Sequence, residues 1–166
     1  LNVALCASAA RWQGKTYSPE ELLQIAMNLE AQAIKVPTGA QDYRPAYYGG
    51  VSAVEFDVAG VHRVALDLNL IELERRLILA YTGSSRQSAV NNWTVMKAHL
   101  DGDAKVFDHF EQIRDIALSM RQALLSSNWT AVGQLITAEW EARKQLTPGI
   151  TTETIDQLIF NAQEAG

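Results

Sequence analysis

Two acidic residues, Glu30 and Asp42, have the type and spacing to support metal binding and acid–base chemistry. Glu30 lies near the C-terminal end of a predicted helix, and Asp42 follows twelve residues later in a loop bounded by glycine and proline. Two carboxylates that converge at such a point suit one Mg²⁺ ligand and one general base. The alternative is a surface pair between Glu30 and Lys35, with Asp42 capping a short helix. Spacing alone favours that alternative.

A second polar segment, Thr82–Ser88, has the composition of an anion-binding or sugar-binding corner. It follows a predicted strand that is broken at Gly83, and its hydroxyl groups and Arg86 precede a helix that begins near Ser88. Backbone amides at a helix start and an arginine side chain both bind phosphate. Arg86 is therefore a candidate ligand for the phosphate of a sugar phosphate. A capped helix with a solvated arginine is the alternative.

The elements that must position Glu30 and Asp42 are helices with recognisable ends. The first predicted helix spans about Leu1–Trp12 and is rich in small residues. The second begins at Ser18 with the letters SPEE, which supply an N-cap, a proline at the first helical position and a capping-box glutamate. It should fade near Ile34, because Pro37 forces the preceding residue out of helical geometry. Val36–Gly50 is then predicted to be a loop.

The rest of the chain predicts a hairpin, a further strand and four helices. Val51–Asp57 and His62–Leu68 are rich in β-branched residues and are separated by a short turn, which is typical of a β-hairpin. Arg75–Thr82 has the composition of a buried strand. The helices are predicted at about Ser88–Leu100, Asp103–Ser126, Thr130–Gln145 and Thr151–Ala165. The expected fold is α+β, with a small antiparallel sheet packed against helices and a helix-rich C-terminal half.

The composition narrows the classes of partner. The 166 residues include 14 Lys and Arg against 19 Asp and Glu, a net charge of -5. This charge argues against nucleic acid bound through a basic face. Apolar stretches fall well short of the roughly 18 residues of a membrane span, and Cys6, as the single cysteine, excludes an internal disulfide framework. We therefore expect a cytoplasmic protein without a nucleic-acid or membrane partner.

The order of these motifs resembles the GHMP kinases, a family that includes galactokinase, homoserine kinase and mevalonate kinase. The resemblance runs from the small-residue helix through the SPEE helix ending in glutamate to PTGAQDY and YGGV before a strand. Within the family it is most similar to the branch of sugar kinases like D-glycero-D-manno-heptose 7-phosphate kinase. The residues that carry the likeness are Gly39, Gln41, Asp42, Tyr47, Tyr48, Gly49 and Gly50, followed later by YTGSSRQSA and LTPGI.

The resemblance implies ATP-dependent phosphorylation of a sugar or sugar-phosphate hydroxyl, at the anomeric carbon, with Mg²⁺ as cofactor. It makes Asp42 the residue that orients and deprotonates the sugar hydroxyl, and Glu30 the residue that coordinates Mg²⁺. Ala40 and Tyr43, which lie close to Asp42, depart from the pattern of the branch, where lysine and glutamine are usual. The residues expected to bind the substrate are Gln41, Tyr47, Ser85 and Arg86.

The resemblance also implies a division into domains. Residues 1–50 would complete the N-terminal kinase domain, and residues 51–166 would form the C-terminal domain. The glycine-rich phosphate loop of the family would precede Leu1, and a second glycine-rich segment would follow Gly166. We therefore expect a piece of a longer kinase that is inactive by itself. Its ligands would be ATP and a small sugar or sugar phosphate, and a homodimer is compatible with this expectation.

A different class of function also fits the sequence, namely a non-catalytic helical binding or regulatory domain. The predicted helices between Asp103 and Ala165 could form a bundle that binds a partner, and the net negative charge suits many partners. The two classes differ in what they require of Glu30 and Asp42. A kinase needs these carboxylates in one site, whereas a binding domain does not.

Overall fold

A computed structural model describes residues 1–83 and 88–165 of the chain. The chain divides into two compact units, Leu1–Ile71 and Glu72–Gly166. The predicted α+β class is confirmed, because the described residues form helices together with an antiparallel sheet of two strands. Within the described ranges, no helix has both the length and the hydropathy that crossing a membrane requires.

The first unit is built on two helices that pack through small and branched side chains. Helix α1 spans Asn2–Trp12 and helix α2 spans Pro19–Ile34, close to the predicted bounds. A short third helix, α3 (Tyr43–Tyr48), packs against both of them. The core that these helices share consists of Val3, Leu22, Leu23, Ala26 and Tyr43, with Cys6, Ala7 and Met27 partly buried around it.

Helix α2 begins where the sequence predicts because Ser18 and Glu21 form a capping box. The Glu21 N–H donates to Ser18 Oγ at 3.4 Å, and the Ser18 N–H donates to Glu21 Oε2 at 2.8 Å. The Ser18 hydroxyl also donates to the Glu21 carboxylate, and these two bonds from Ser18 lower the pKa of Glu21. Because the pKa of Glu21 is lower in the folded state, its bonds with Ser18 stabilise the fold at pH values above the pKa of Glu21 in the unfolded chain. This stabilisation is lost as the pH falls through the folded pKa.

Replacing Ser18 with alanine should lower the free energy of unfolding by about 1 kcal/mol. The Glu21 N–H at the start of α2 then loses its acceptor, and the Glu21 carboxylate loses the Ser18 hydroxyl as a donor. Urea unfolding followed by circular dichroism measures this change. Ser8→Ala is the matched control, since Ser8 is an exposed serine inside α1 and alanine is the better helix former. An unfolding free energy that is the same for both variants would contradict the capping role.

The predicted hairpin is confirmed, with a shorter turn than expected. Strand β1 (Val51–Asp57) pairs antiparallel with strand β2 (Gly60–Leu66), so that Val58 and Ala59 alone make the turn. The Asp57 carboxylate accepts hydrogen bonds from the N–H groups of Ala59 at 2.7 Å and Gly60 at 3.1 Å. The turn also relies on the positive φ of 131° at Gly60, a conformation that glycine adopts without steric cost.

The prediction of a buried strand over Arg75–Thr82 is wrong. A five-residue helix, α4 (Leu70–Glu74), precedes this segment, and the chain from Leu77 to Thr82 has no regular structure. Ile78 and Leu79 are 96% and 99% exposed. An apolar run becomes a strand only when a neighbouring strand accepts and donates its hydrogen bonds, and the sheet of the described residues consists of β1 and β2.

The predicted loop over Val36–Gly50 contains helix α3, the short helix after Asp42 that only the alternative interpretation of the sequence included. Pro45 is the third residue of α3, a position whose N–H has no helical partner, so that proline is tolerated there. The helix ends at Gly49, which has a φ of 66°. A proline in the first turn and a glycine after the last residue are therefore compatible with a short helix here.

The second unit consists largely of the four predicted helices. Helix α6 begins after Asp103, whose carboxylate accepts from the N–H groups of Lys105 and Val106. Helix α7 begins after Asn128, whose side chain accepts from the Ala131 N–H, and α6 and α7 pack against each other. The observed bounds are Ser88–Leu100 for α5, Ala104–Leu125 for α6, Trp129–Lys144 for α7 and Glu153–Ala165 for α8.

Candidate active site

The first unit contains an open cleft of about 770 Å³ that is lined by both Glu30 and Asp42. Three parts of the chain form its walls: the amino end of α1, the last turns of α2, and the loop that leads into α3. Glu30 and Asp42 thus line the same cleft, and their roles as metal ligand and general base stay predictions. The amino end of α1 contributes the positive end of a helix dipole, which favours anions such as phosphate.

The carboxylate of Glu30 is held by two hydrogen bonds that end on the same oxygen. Asn2 Nδ2 donates to Glu30 Oε2 at 3.0 Å, and the Tyr43 hydroxyl donates to the same Oε2 at 2.9 Å. Asn2 Nδ2 also donates to the carbonyl oxygen of Ala26 at 2.8 Å, which ties α1 to α2. The ion pairs found among the described residues do not join Glu30 to Lys35. The alternative of a surface pair is therefore wrong.

The carboxylate of Asp42 is left free by the helix that follows it. Asp42 occupies the N-cap position of α3, but its side chain makes no capping hydrogen bond and its backbone is already helical, with φ -74° and ψ -26°. A residue that caps through its side chain normally has an extended backbone, as Ser18 and Asp103 do here. Asp42 therefore occupies the cap position, but the alternative that its side chain caps the helix is wrong. Its exposed carboxylate is available at the cleft.

Tyr43 joins the two acidic residues, because it follows Asp42 in the chain and binds Glu30 through its hydroxyl. Its ring is buried, with 7% of the residue exposed, and this burial raises the pKa of Tyr43 above its ordinary value. The Thr38 hydroxyl acts in the opposite direction, whereas Glu30 raises the pKa further. The buried Thr38 Oγ1 makes no hydrogen bond, so Thr38 is a neighbour of the phenol and does not hold it. The phenol therefore remains a hydrogen-bond donor at neutral pH.

Arg44 fixes the loop that carries Asp42. It is the buried charged residue of this unit, with 7% exposure. Its guanidinium donates to the carbonyl oxygens of Ala40 at 3.1 Å and Val61 at 3.2 Å, and to the carboxylate of Glu20 at 2.7 Å. One side chain thus connects the loop, strand β2 and the first turn of α2.

The four predicted substrate-binding residues have different positions. The Gln41 side chain folds over Gly39, a cleft residue, so closely that a Cβ on Gly39 would clash with the Gln41 amide. The ring of Tyr47 packs edge to face on Tyr48 at 4.8 Å and is not part of the cleft wall. Ser85 and Arg86 lie outside the described residues.

Three residues that organise the cleft were not predicted to be functional from the sequence, namely Asn2, Tyr43 and Arg44. Tyr43 carried a signal, since it departs from the pattern expected from the resemblance at the position after Asp42. Asn2 and Arg44 carried none, because their partners lie 17 to 28 residues away in the chain, apart from Ala40 and Cys6. Contacts of that separation are visible only in the folded chain.

The donor set of the cleft suits a cation that brings most of its own ligands. The described residues contain no cluster of three or more His, Cys, Asp or Glu that would hold a metal ion. Mg²⁺ is commonly bound through one or two carboxylates, with waters and substrate phosphates completing its coordination. Glu30 and Asp42 therefore fit Mg²⁺ arriving with a nucleotide, and they do not fit a permanently bound structural metal.

A comparison with known families identifies the segment that builds this cleft. Residues 1–50 match the model of the GHMP kinases N terminal domain, and these residues include α1, Glu30 and Asp42. Over this segment the chain is similar to the GHMP kinases. The resemblance expected from the order of the motifs is thus confirmed.

Two proteins that are similar to this chain are sugar kinases by name. D-glycero-alpha-D-manno-heptose 7-phosphate kinase of Campylobacter jejuni is 23% identical over 172 aligned residues, which cover 100% of this chain and 50% of that protein. The bifunctional fucokinase/GDP-fucose pyrophosphorylase of Arabidopsis thaliana is 24% identical over 152 residues, or 88% of this chain and 14% of that protein. The chain therefore spans half the length of the first relative and a smaller share of the second.

Proposed function

We propose that the protein carrying this chain transfers the γ-phosphoryl group of ATP to a hydroxyl of a sugar or sugar phosphate, at the anomeric carbon. The observation that carries the proposal is the convergence of Glu30, Asp42 and the amino end of α1 on one cleft. Phosphoryl transfer needs a group that positions the attacking hydroxyl, a carboxylate for a metal, and a site for phosphate. The two named sugar kinases support the substrate class.

In the proposed reaction Asp42 acts on the sugar hydroxyl. Its carboxylate accepts the hydroxyl proton as the oxygen forms a bond to the γ-phosphorus of ATP. The bond between that phosphorus and the β–γ bridging oxygen breaks, and ADP leaves with the electron pair. The exposed, uncapped position of Asp42 leaves its carboxylate available for this hydrogen bond.

Glu30 is proposed to hold Mg²⁺, and the amino end of α1 to receive phosphate. When bound, Mg²⁺ would neutralise charge on the phosphates. Glu30 itself lies at the carboxyl end of α2, where the helix dipole disfavours a negative charge. The hydrogen bonds from Asn2 and Tyr43 offset part of that cost.

Several finer expectations remain proposals. Gln41, Tyr47, Ser85 and Arg86 are proposed to contact the sugar, with Arg86 on a remote phosphate. The boundary of the two kinase domains is proposed between residues 50 and 51, and the cytoplasm is the proposed location.

The proposed function is tested by measuring ADP release by the full-length protein in the presence of Mg²⁺. The sugars are heptose 7-phosphate, mannose, fucose and galactose, and a reaction without sugar gives the background hydrolysis. We expect turnover above background on one of these sugars. Binding of Mg²⁺-ATP without turnover on any of them would leave the family relationship but contradict these acceptors. The absence of ATP binding would favour the non-catalytic helical binding or regulatory domain.

A further inference from the structure

The two hydrogen bonds to Glu30 come from different elements but end on one oxygen. Asn2 belongs to α1 and Tyr43 to α3, and both donate to Oε2 of a residue on α2. Neither bond uses Oε1. Within the described part of the chain, the hydrogen bonds of Glu30 therefore leave Oε1 without a donor, on a residue that lines the cleft.

Such an arrangement restricts a side chain that is flexible when free. A glutamate has several rotatable bonds, and holding it in one conformation costs rotamer entropy. Two donors on one oxygen restrain the position of that oxygen before any ligand arrives. Outer-shell hydrogen bonds of this kind orient carboxylate ligands of metals and contribute to metal affinity.

Building on the proposed function, we propose that Tyr43 and Asn2 are positioning residues, which hold Oε2 of Glu30 so that Oε1 is presented to a divalent cation bound with nucleotide. Tyr43 has a further consequence for the geometry, because its backbone is joined directly to Asp42. The ring is anchored in the core of α1 and α2. The buried ring therefore holds the loop that carries Asp42, and the hydroxyl holds Glu30 beside it.

The chain supplies a matched control for the Tyr43 hydroxyl. Tyr48 is also on α3, and its hydroxyl also donates to a glutamate of α2, namely Oε1 of Glu20 at 3.3 Å. Tyr48 and Glu20 are not part of the cleft wall. Tyr43→Phe and Tyr48→Phe thus each remove one tyrosine–glutamate hydrogen bond between the same two helices, and only the first bond involves the cleft.

The experiment uses the full-length protein and two independent readouts. The first is binding of Mn²⁺ in the presence of a non-hydrolysable ATP analogue, followed by water-proton relaxation. The second is the Mg²⁺ concentration that gives half-maximal ADP release. For Tyr43→Phe we expect both metal constants to rise about tenfold, as is typical when an outer-shell partner is lost, with kcat changed much less. Tyr48→Phe should leave both constants at the wild-type values.

A double-mutant cycle separates positioning from general loosening of the fold. If Tyr43 acts through Glu30, then Tyr43→Phe should have no further effect on Mn²⁺ binding in a Glu30→Gln background. Asn2→Ala should raise the Mn²⁺ constant in the same direction as Tyr43→Phe.

Equal Mn²⁺ constants for Tyr43→Phe and the wild type would overturn the inference while the wild type still turned over its sugar. An undiminished effect of Tyr43→Phe in the Glu30→Gln background would also overturn it. A wild type with neither turnover nor nucleotide-dependent Mn²⁺ binding would overturn the proposed function as well.

Discussion

Replacing Asp42 with asparagine is expected to lower kcat of the full-length protein about a thousandfold, which is within the usual contribution of a general base. Asparagine is close to aspartate in size and can still hydrogen-bond the sugar hydroxyl, but it cannot accept the proton. Because the side chain of Asp42 is exposed and does not cap α3, the substitution should leave the fold intact. Removing a negative charge from the cleft should leave binding of the anionic nucleotide unchanged or slightly stronger.

Asp67→Asn provides the control for this change, because Asp67 is an exposed aspartate of the same unit that does not line the cleft. Both variants are compared by ADP release with the accepted sugar and by calorimetric titration with Mg²⁺-ATP. If Asp42→Asn kept more than a tenth of the wild-type kcat, Asp42 would not be the base. A loss of nucleotide binding together with turnover would assign Asp42 to the binding of ATP.

Replacing Arg44 with methionine is expected to lower the free energy of unfolding by about 3 kcal/mol. Methionine can fill most of the volume of the arginine stem, so the loss concerns polar partners rather than a cavity. The carbonyl oxygens of Ala40 and Val61 lose their donor, and an unsatisfied buried group costs roughly 1–3 kcal/mol. Glu20 contributes less to the loss, since its side chain is 54% exposed and water can replace the guanidinium.

Arg114→Met is the contrasting control for Arg44. Arg114 also pairs with carboxylates, those of Glu111 and Asp115, but its side chain is 55% exposed on α6. Ion pairs at such positions contribute roughly 0–1 kcal/mol. Urea unfolding of the two variants should therefore separate them clearly.

Hydrogen exchange in residues 36–50 should increase for Arg44→Met only, because Arg44 holds the loop of Asp42. An unfolding free energy within about 1 kcal/mol of wild type would show that water satisfies the two carbonyl oxygens.

Local sequence determined the elements whose stabilising contacts lie close in the chain. The capping box of Ser18 and Glu21 spans three residues, and α2 starts where that pattern predicts. Helix α5 has the predicted bounds, α6 and α7 differ from prediction by one residue at each end, and α8 begins two residues later than predicted and ends as predicted. The hairpin was also predictable, since its two strands are joined by a tight turn.

The candidate site was predictable in its residue types and only partly in its geometry. Glu30 and Asp42 were identified from their positions and from the resemblance to the GHMP kinases. Their spacing could not exclude a surface pair and a helix cap. The hydrogen bonds to Glu30 Oε2 and the lack of a side-chain capping bond at Asp42 exclude those two alternatives. Both features depend on how α1, α2 and α3 pack.

Tertiary structure alone determined the features whose partners are distant in the chain. Arg44 reaches Glu20 and Val61, which are 24 and 17 residues away, and Asn2 reaches Glu30 across 28 residues. The segment Arg75–Thr82 also depends on distant partners. Its composition favours a strand, but it forms none because no neighbouring strand of the described residues pairs with it. Propensity and capping act over a few residues, whereas buried hydrogen bonds and strand pairing require partners that folding brings together.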